Sequence, residues 1–134
     1  MKSEEKNLEE LKREKMEEIM SKEESGELPG KPMAVSDDEF DQFTRKHPLV
    51  VIDFWAEWCA PCKAMGRVIK ELAEEYSDSV AFGKVNVDEN TQAPRKFQVS
   101  GIPTLVIFKD GEPVDKVVGM VPKKQLKQKL DSYL

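Results

Sequence analysis

The chain has 134 residues, enough for one compact domain and hardly for two, and its 39% apolar content supports a core, which excludes a wholly disordered chain. Charged residues make up 35%, against a typical quarter, yet the net charge is only −5 because acidic and basic residues interleave. No basic block forms a phosphate-binding stripe and no window approaches 18 consecutive apolar residues, which argues against nucleic-acid partners and against a membrane span.

The excess charge concentrates at the start. Residues 1–31 hold ten acidic and seven basic residues and no aromatic. Leu8, Leu11, Met16, Ile19 and Met20 form a sparse apolar stripe at helical spacing, and Glu-to-Lys pairs at short helical offsets support a helix. The run Ser25-Gly26-Glu27-Leu28-Pro29-Gly30-Lys31-Pro32 then breaks it, with two Gly and two Pro in eight residues. The chain is thus divided into a charged, helical or disordered extension with its linker (1–31) and a domain (32–134). The extension reads as a solvated helix on a flexible linker, or as a docking helix for a partner or for the domain's own surface. It is acidic throughout and has no uninterrupted apolar segment of the kind a secretory signal needs, so the expected location is the cytoplasm.

The domain alternates strand and helix signals. Ser36-Asp37-Asp38-Glu39 is a capping box that opens a helix over about 37–46, ended before Pro48. Leu49-Val50-Val51-Ile52-Asp53-Phe54-Trp55 has the apolar continuity of a central strand covered on both faces. A helix follows from about Cys59 to Tyr76, with Val68, Ile69, Leu72 and Tyr76 inward. Val80 to Val87 is a second buried strand, and a short helix lies near 91–97. Thr104-Leu105-Val106-Ile107-Phe108 is a third strand, joined through the Asp-Gly turn of Lys109-Asp110-Gly111-Glu112 to a strand over 113–119. Pro122 opens a last helix with Leu126, Leu130 and Tyr133 on one face. Strands alternating with helices, then one hairpin, predict an α/β domain with a mixed sheet and helices on both faces.

The two cysteines, Cys59 and Cys62, are too close in sequence to staple distant parts of a fold, so they form a redox or metal motif, or an inert buried pair. A zinc or iron–sulfur site needs four ligands, and one chain supplies no third Cys and a single histidine, His47, at a helix end before Pro48. No metal site is therefore expected. The redox alternative suits the spacing: residues i and i+3 of a helix are neighbours on one face, at a separation a disulfide can bridge. At a helix N-terminus the free N–H groups and the dipole favour a negative sulfur, and the thiolate is the nucleophile. Pro61 falls in the first turn, where its missing N–H costs nothing, and Ala60 leaves the sulfur open to an approaching substrate.

The segment Phe54-Trp55-Ala56-Glu57-Trp58-Cys59-Ala60-Pro61-Cys62-Lys63 resembles the active-site signature of the thioredoxin family. Ser100-Gly101-Ile102-Pro103-Thr104 is similar to the family's second landmark, Phe108-Lys109-Asp110-Gly111-Glu112 to its hairpin, and Val118-Gly119 to a third substrate-groove position. The resemblance covers roughly 33–134 and implies the thioredoxin fold: a mostly parallel mixed sheet of about five strands, with one antiparallel hairpin, flanked by about four helices. It implies a protein-disulfide reductase with Cys59 as attacking thiolate and Cys62 as resolving thiol. By the same similarity Asp53 accepts the proton of Cys62, with Lys84 beside it. A carboxylate inside an unbroken apolar strand is costly unless useful or paired, which supports that role independently. Pro103 corresponds to the family's cis proline. Ile102 would offer its backbone to an extended substrate by strand addition, and Trp58, Ala60, Pro61, Ile102, Pro103, Gly119 and Met120 would make the substrate-binding surface. The implied partners are disulfide-containing proteins and a separate thioredoxin reductase, since the chain has no dinucleotide-binding glycine fingerprint. A monomer is expected, with no cofactor beyond the Cys59–Cys62 pair.

Two departures stand out. Ala60 replaces the glycine usual between the cysteines, and Arg67, after Gly66, stands where the active-site helix often has a kinking proline, which predicts a straighter or Gly-bent helix. A disulfide oxidase or isomerase on the same fold, and a non-enzymatic interaction module using the N-terminal helix, are the competing functions.

Overall fold

The computed structural model describes residues 30–134. The helix and most of the linker expected in 1–31 lie outside the described residues. Strand β1 is Met33–Ala34, and the capping box follows it. The Glu39 carboxylate accepts from the Ser36 N–H at 3.1 Å and from its hydroxyl at 3.0 Å. The expected first helix is split: Asp37–Glu39 form a 3-10 turn and α1 runs Phe40–Lys46. β2 is Leu49–Trp55, α2 Ala60–Glu75, β3 Ala81–Asn86, α3 Gln92–Lys96, β4 Thr104–Lys109, β5 Glu112–Val118 and α4 Lys123–Tyr133.

The five strands form one sheet in the order β1-β3-β2-β4-β5, with the β1–β3 and β3–β2 pairs parallel and the β2–β4 and β4–β5 pairs antiparallel, so β4 alone runs against the others. The sheet is therefore mixed, with the long β2 at its centre. Asp110 and Gly111 at the β4–β5 turn have φ of 53° and 86°, the left-handed pair that lets a two-residue hairpin match the strand twist. Pro113 in β5 is tolerated because that strand is an edge.

Side-chain alternation along β2 divides the core. Leu49 and Val51 pack with Phe82, Leu105 and Ile107 under α2 and α4, which contribute Met65, Ile69, Leu72, Leu126 and Leu130. Val50, Ile52 and Phe54 point the other way, against Phe40 of α1 and Ala93 of α3, with Phe97 and Phe108 completing the layer. Burying a side chain such as Phe54 or Ile52 contributes roughly 1.5–3 kcal/mol each, so β2, covered on both faces, anchors the fold. Gly83 of β3 is needed here: a Cβ on it would lie 2.8 Å from Phe43 Cε2 and 2.9 Å from Ile52 Cδ1.

Two sets of long-range polar links tie the helices together. The Asp37 carboxylate accepts from the N–H groups of Gln92 and Ala93 at 3.0 and 2.8 Å, capping α3 from another part of the chain. Lys123 and Lys127 of α4 pair with Glu75 of α2, and Lys123 also with Glu71. The pairs between α4 and α2 lie near the surface and contribute little individually.

Candidate active site

β2 ends at Trp55, and the chain then turns into α2 with Cys59 as its N-cap residue. The cap is a sulfur: the Cys62 N–H donates to Cys59 Sγ at 3.2 Å. Pro61 lies in the first turn, so its missing donor leaves no gap in the helix. The two cysteines are joined in a disulfide with a Cα–Cα distance of 5.2 Å, inside the range such a bond requires. Both are buried, Cys59 at 5% exposure and Cys62 at 2%, next to the exposed Ala60 and Pro61. Ala56, Trp55, Val87 and Ile102 pack around them. The helix continues through Gly66 and Arg67 to Glu75 without interruption.

Ile102 and Pro103 approach the cysteines from the loop before β4. Their peptide bond is cis, and the Ile102 carbonyl lies 3.9 Å from Cys59 Sγ. Pro103 is buried; Ile102 is half-buried. The Gly119 N–H donates to the Pro103 carbonyl at 2.8 Å, which holds the end of β5 against this loop, and Gly119 has a φ of 86° that a glycine adopts without strain. Met120, next to Gly119 in the chain, is 49% exposed, and Trp58, next to Cys59, is 71% exposed. Trp58 is therefore not a core residue. Its indole N–H donates to the Asp88 carboxylate at 3.0 Å, which holds the ring in the open.

Asp53 sits within the central strand. It has no exposed surface, and among the described residues neither carboxylate oxygen has a hydrogen-bond partner. Burial raises its pKa from 3.8 to about 7, and the Lys84 charge pulls the other way. Across the sheet Asp53 is in register with Lys84 on β3 and Leu105 on β4. Lys84 is half-buried rather than a surface lysine, with its ammonium 4.5 Å from the centroid of the Trp55 ring. Among the described residues no three His, Cys, Asp or Glu side chains converge as a metal site requires.

Cys59, Cys62, Trp58, Ala60 and Pro61 thus share the start of α2, with Ile102, Pro103, Gly119 and Met120 on the adjoining loops and Asp53 and Lys84 on the strands behind. Asp88 joins them although nothing in the sequence points to it. It holds Trp58 from 30 positions away, a separation no local pattern reveals. Val118, beside Gly119, is 65% exposed at the end of an edge strand.

Two sulfurs able to close on each other, with a helix N–H aimed at one of them and a buried carboxyl in the adjoining strand, make a dithiol–disulfide couple. That chemistry defines a thiol–disulfide oxidoreductase. Comparison with known proteins narrows the class. Residues 31–132 match the thioredoxin family profile. A thioredoxin of Staphylococcus haemolyticus (strain JCSC1435) is 48% identical over 100 residues, covering 75% of this chain and 95% of that protein. One from Staphylococcus aureus is 46% identical over the same coverage. Among solved structures, a point mutant of the thioredoxin from Halobacterium salinarum NRC-1 superposes with a TM-score of 0.75 at 39% identity, covering 79% of this chain and 93% of that one. The chain belongs to the thioredoxin family, oxidoreductases that act on protein disulfides. Among the described residues no helix is long and apolar enough to cross a membrane.

Proposed function

We propose that the protein reduces disulfides of other proteins in two exchange steps, with Cys59 as nucleophile and Cys62 as resolving thiol. In the first step the Cys59 thiolate attacks one sulfur of the substrate disulfide. The substrate S–S bond breaks, a Cys59–substrate disulfide forms, and the other substrate sulfur leaves as a thiolate. In the second, Cys62 loses its proton and attacks Cys59 Sγ. The mixed disulfide breaks, Cys59–Cys62 forms, and the second substrate thiolate leaves. Two electrons pass from the pair to the substrate.

The observation that carries this assignment is the 3.2 Å contact from the Cys62 N–H to Cys59 Sγ at the start of a 16-residue helix. In the reduced protein the same donor and the helix dipole favour a thiolate on Cys59. Asp53 is suited to take the proton of Cys62 through water, because a carboxyl with a pKa of about 7 exchanges protons near neutrality. Lys84 tunes that carboxyl. The Ile102 backbone, beside the sulfur and only half-buried, is suited to pair with an extended substrate segment, with Trp58, Ala60, Pro61, Pro103, Gly119 and Met120 around it. A separate thioredoxin reductase would return the pair to the dithiol, in the cytoplasm, with the protein acting as a monomer and with no further cofactor.

The test is reduction of insulin disulfides by the reduced protein. Wild type turns over, Cys59→Ser is inactive, and Cys62→Ser arrests as a mixed disulfide on Cys59. Undiminished turnover by Cys59→Ser overturns the assignment of the nucleophile.

A further inference from the structure

We propose that Gly66 is a positioning residue for the exchange reaction: the bare side of α2 at Gly66 and the ring face of Trp55 together seat the Lys84 ammonium beside Asp53. The proposal rests on the assignment of Asp53 as the proton acceptor and extends it to a residue that touches neither sulfur nor substrate.

Lys84 is the register partner of Asp53 across β2 and β3, and of Ala34 across β1 and β3. It shares the parity of Phe82, so its side chain leaves the sheet on the α2 side. One flank of the ammonium is the Trp55 ring, 4.5 Å away. The other is α2: a Cβ built on Gly66 would stand 3.8 Å from Lys84 Nζ and, among the described residues, would meet nothing else within 4 Å outside its own helix. The helix therefore meets the lysine at a position with no side chain.

Among the described residues Lys84 makes no ion pair with a carboxylate. Its ammonium is placed by the shape of its surroundings, which makes its position sensitive to packing. A methyl group on residue 66 fits at ordinary contact distance. A longer side chain brings more carbon against the ammonium and strips its water or pushes it aside. Two carboxylates, Glu39 and Glu89, line with Lys84, Trp55 and Asn86 a cleft of about 390 Å³. Asp53 is faced by Lys84 from β3, by the apolar Leu105 from β4, and by α2, which carries the Cys59–Cys62 pair at its start. Lys84 is thus the cation that opposes the burial of Asp53.

Displacing the ammonium weakens its pull on the Asp53 proton, so the carboxyl titrates at higher pH. The experiment follows the side-chain carboxyl ¹³C signal of Asp53 in the full chain, assigned with Asp53→Asn, against pH. Lys84→Met raises the midpoint by about one unit, as loss of a nearby opposite charge does. Gly66→Leu, and Gly66→Met as a more pliant second variant, raise it by about half a unit. In the Lys84→Met background Gly66→Leu adds nothing, because no ammonium is left to displace. A wild-type midpoint in both Gly66 variants, with Lys84→Met shifted, overturns the seat. So does an equal shift from Gly66→Leu in the presence and absence of Lys84. An unshifted Lys84→Met removes the coupling on which the seat depends. Failure of the nucleophile assignment is read separately, in the insulin assay of Cys59→Ser.

Discussion

Replacing Asp53 by Asn should make the protein gain stability on wild type progressively as pH rises. The carboxyl is wholly buried without a hydrogen-bond partner among the described residues, and its pKa is raised from 3.8 to about 7. Between those values the unfolded chain releases the proton while the folded chain keeps it. Wild-type stability therefore falls as pH rises from about 4 to about 7 and levels off above that. At about 1.36 kcal/mol per unit, a rise of roughly three units costs the folded state on the order of 4 kcal/mol at alkaline pH. Asn carries no charge at any pH. Its amide, if left without partners, costs about 1–3 kcal/mol, but equally at every pH, so it cancels when the difference is followed across the range. The assay is equilibrium unfolding of the oxidised protein in guanidinium chloride, read by far-UV circular dichroism. From about pH 4 to about pH 8.5 the variant should gain about 3–4 kcal/mol on wild type. A difference that stays flat within about 0.5 kcal/mol would refute the reasoning, because it would mean the folded carboxyl titrates as it does in water.

Three further substitutions probe Trp58 and the packing. Trp58→Ala removes the most exposed large apolar side chain among the described residues and should lower kcat/KM for a protein substrate about 5- to 30-fold, while a small aromatic disulfide is reduced at nearly the wild-type rate; equal losses on both would move the role of Trp58 from binding to chemistry. Gly83→Ala places a methyl 2.8–2.9 Å from Phe43, Ile52 and Val35 and should destabilise by about 1–3 kcal/mol, visible as a Tm lower by several degrees. Gln98→Gly relieves a φ of 55° and should raise stability by up to about 1 kcal/mol in the same unfolding assay, with no change in insulin reduction.

The sheet is legible in the sequence where apolar runs are long. Leu49–Trp55 and Thr104–Phe108 read as buried strands because both faces are covered, and both are interior to the sheet. β1 leaves no such signal: Met33–Ala34 is two residues long, too short for any alternation, and it exists only by pairing with Gly83 and Lys84. The capping box predicts one continuous first helix, yet its opening turn is 3-10, with the Asp37 carboxylate turned to cap α3. The cysteine pair and the buried acid show as a spacing and as a charge in an apolar run. Lys84 is not decidable from its neighbours, since a lysine on a strand points to either face with equal ease; the register with Asp53 places it. Asp88 and Gly66 meet residues 30 and 18 positions away, and such contacts arise only when the chain is folded.

The sheet also sets a cluster of four phenylalanines apart from the tryptophans. Phe40, Phe54, Phe97 and Phe108 crowd against one another on the α1–α3 side, with centroids 5.2–6.2 Å apart. Both tryptophans lie instead beside the sulfurs, Trp55 packed on the cysteine cluster and Trp58 immediately preceding Cys59. The indoles are thus the rings placed to report a change at the sulfurs, whereas these four phenylalanines form a cluster of their own.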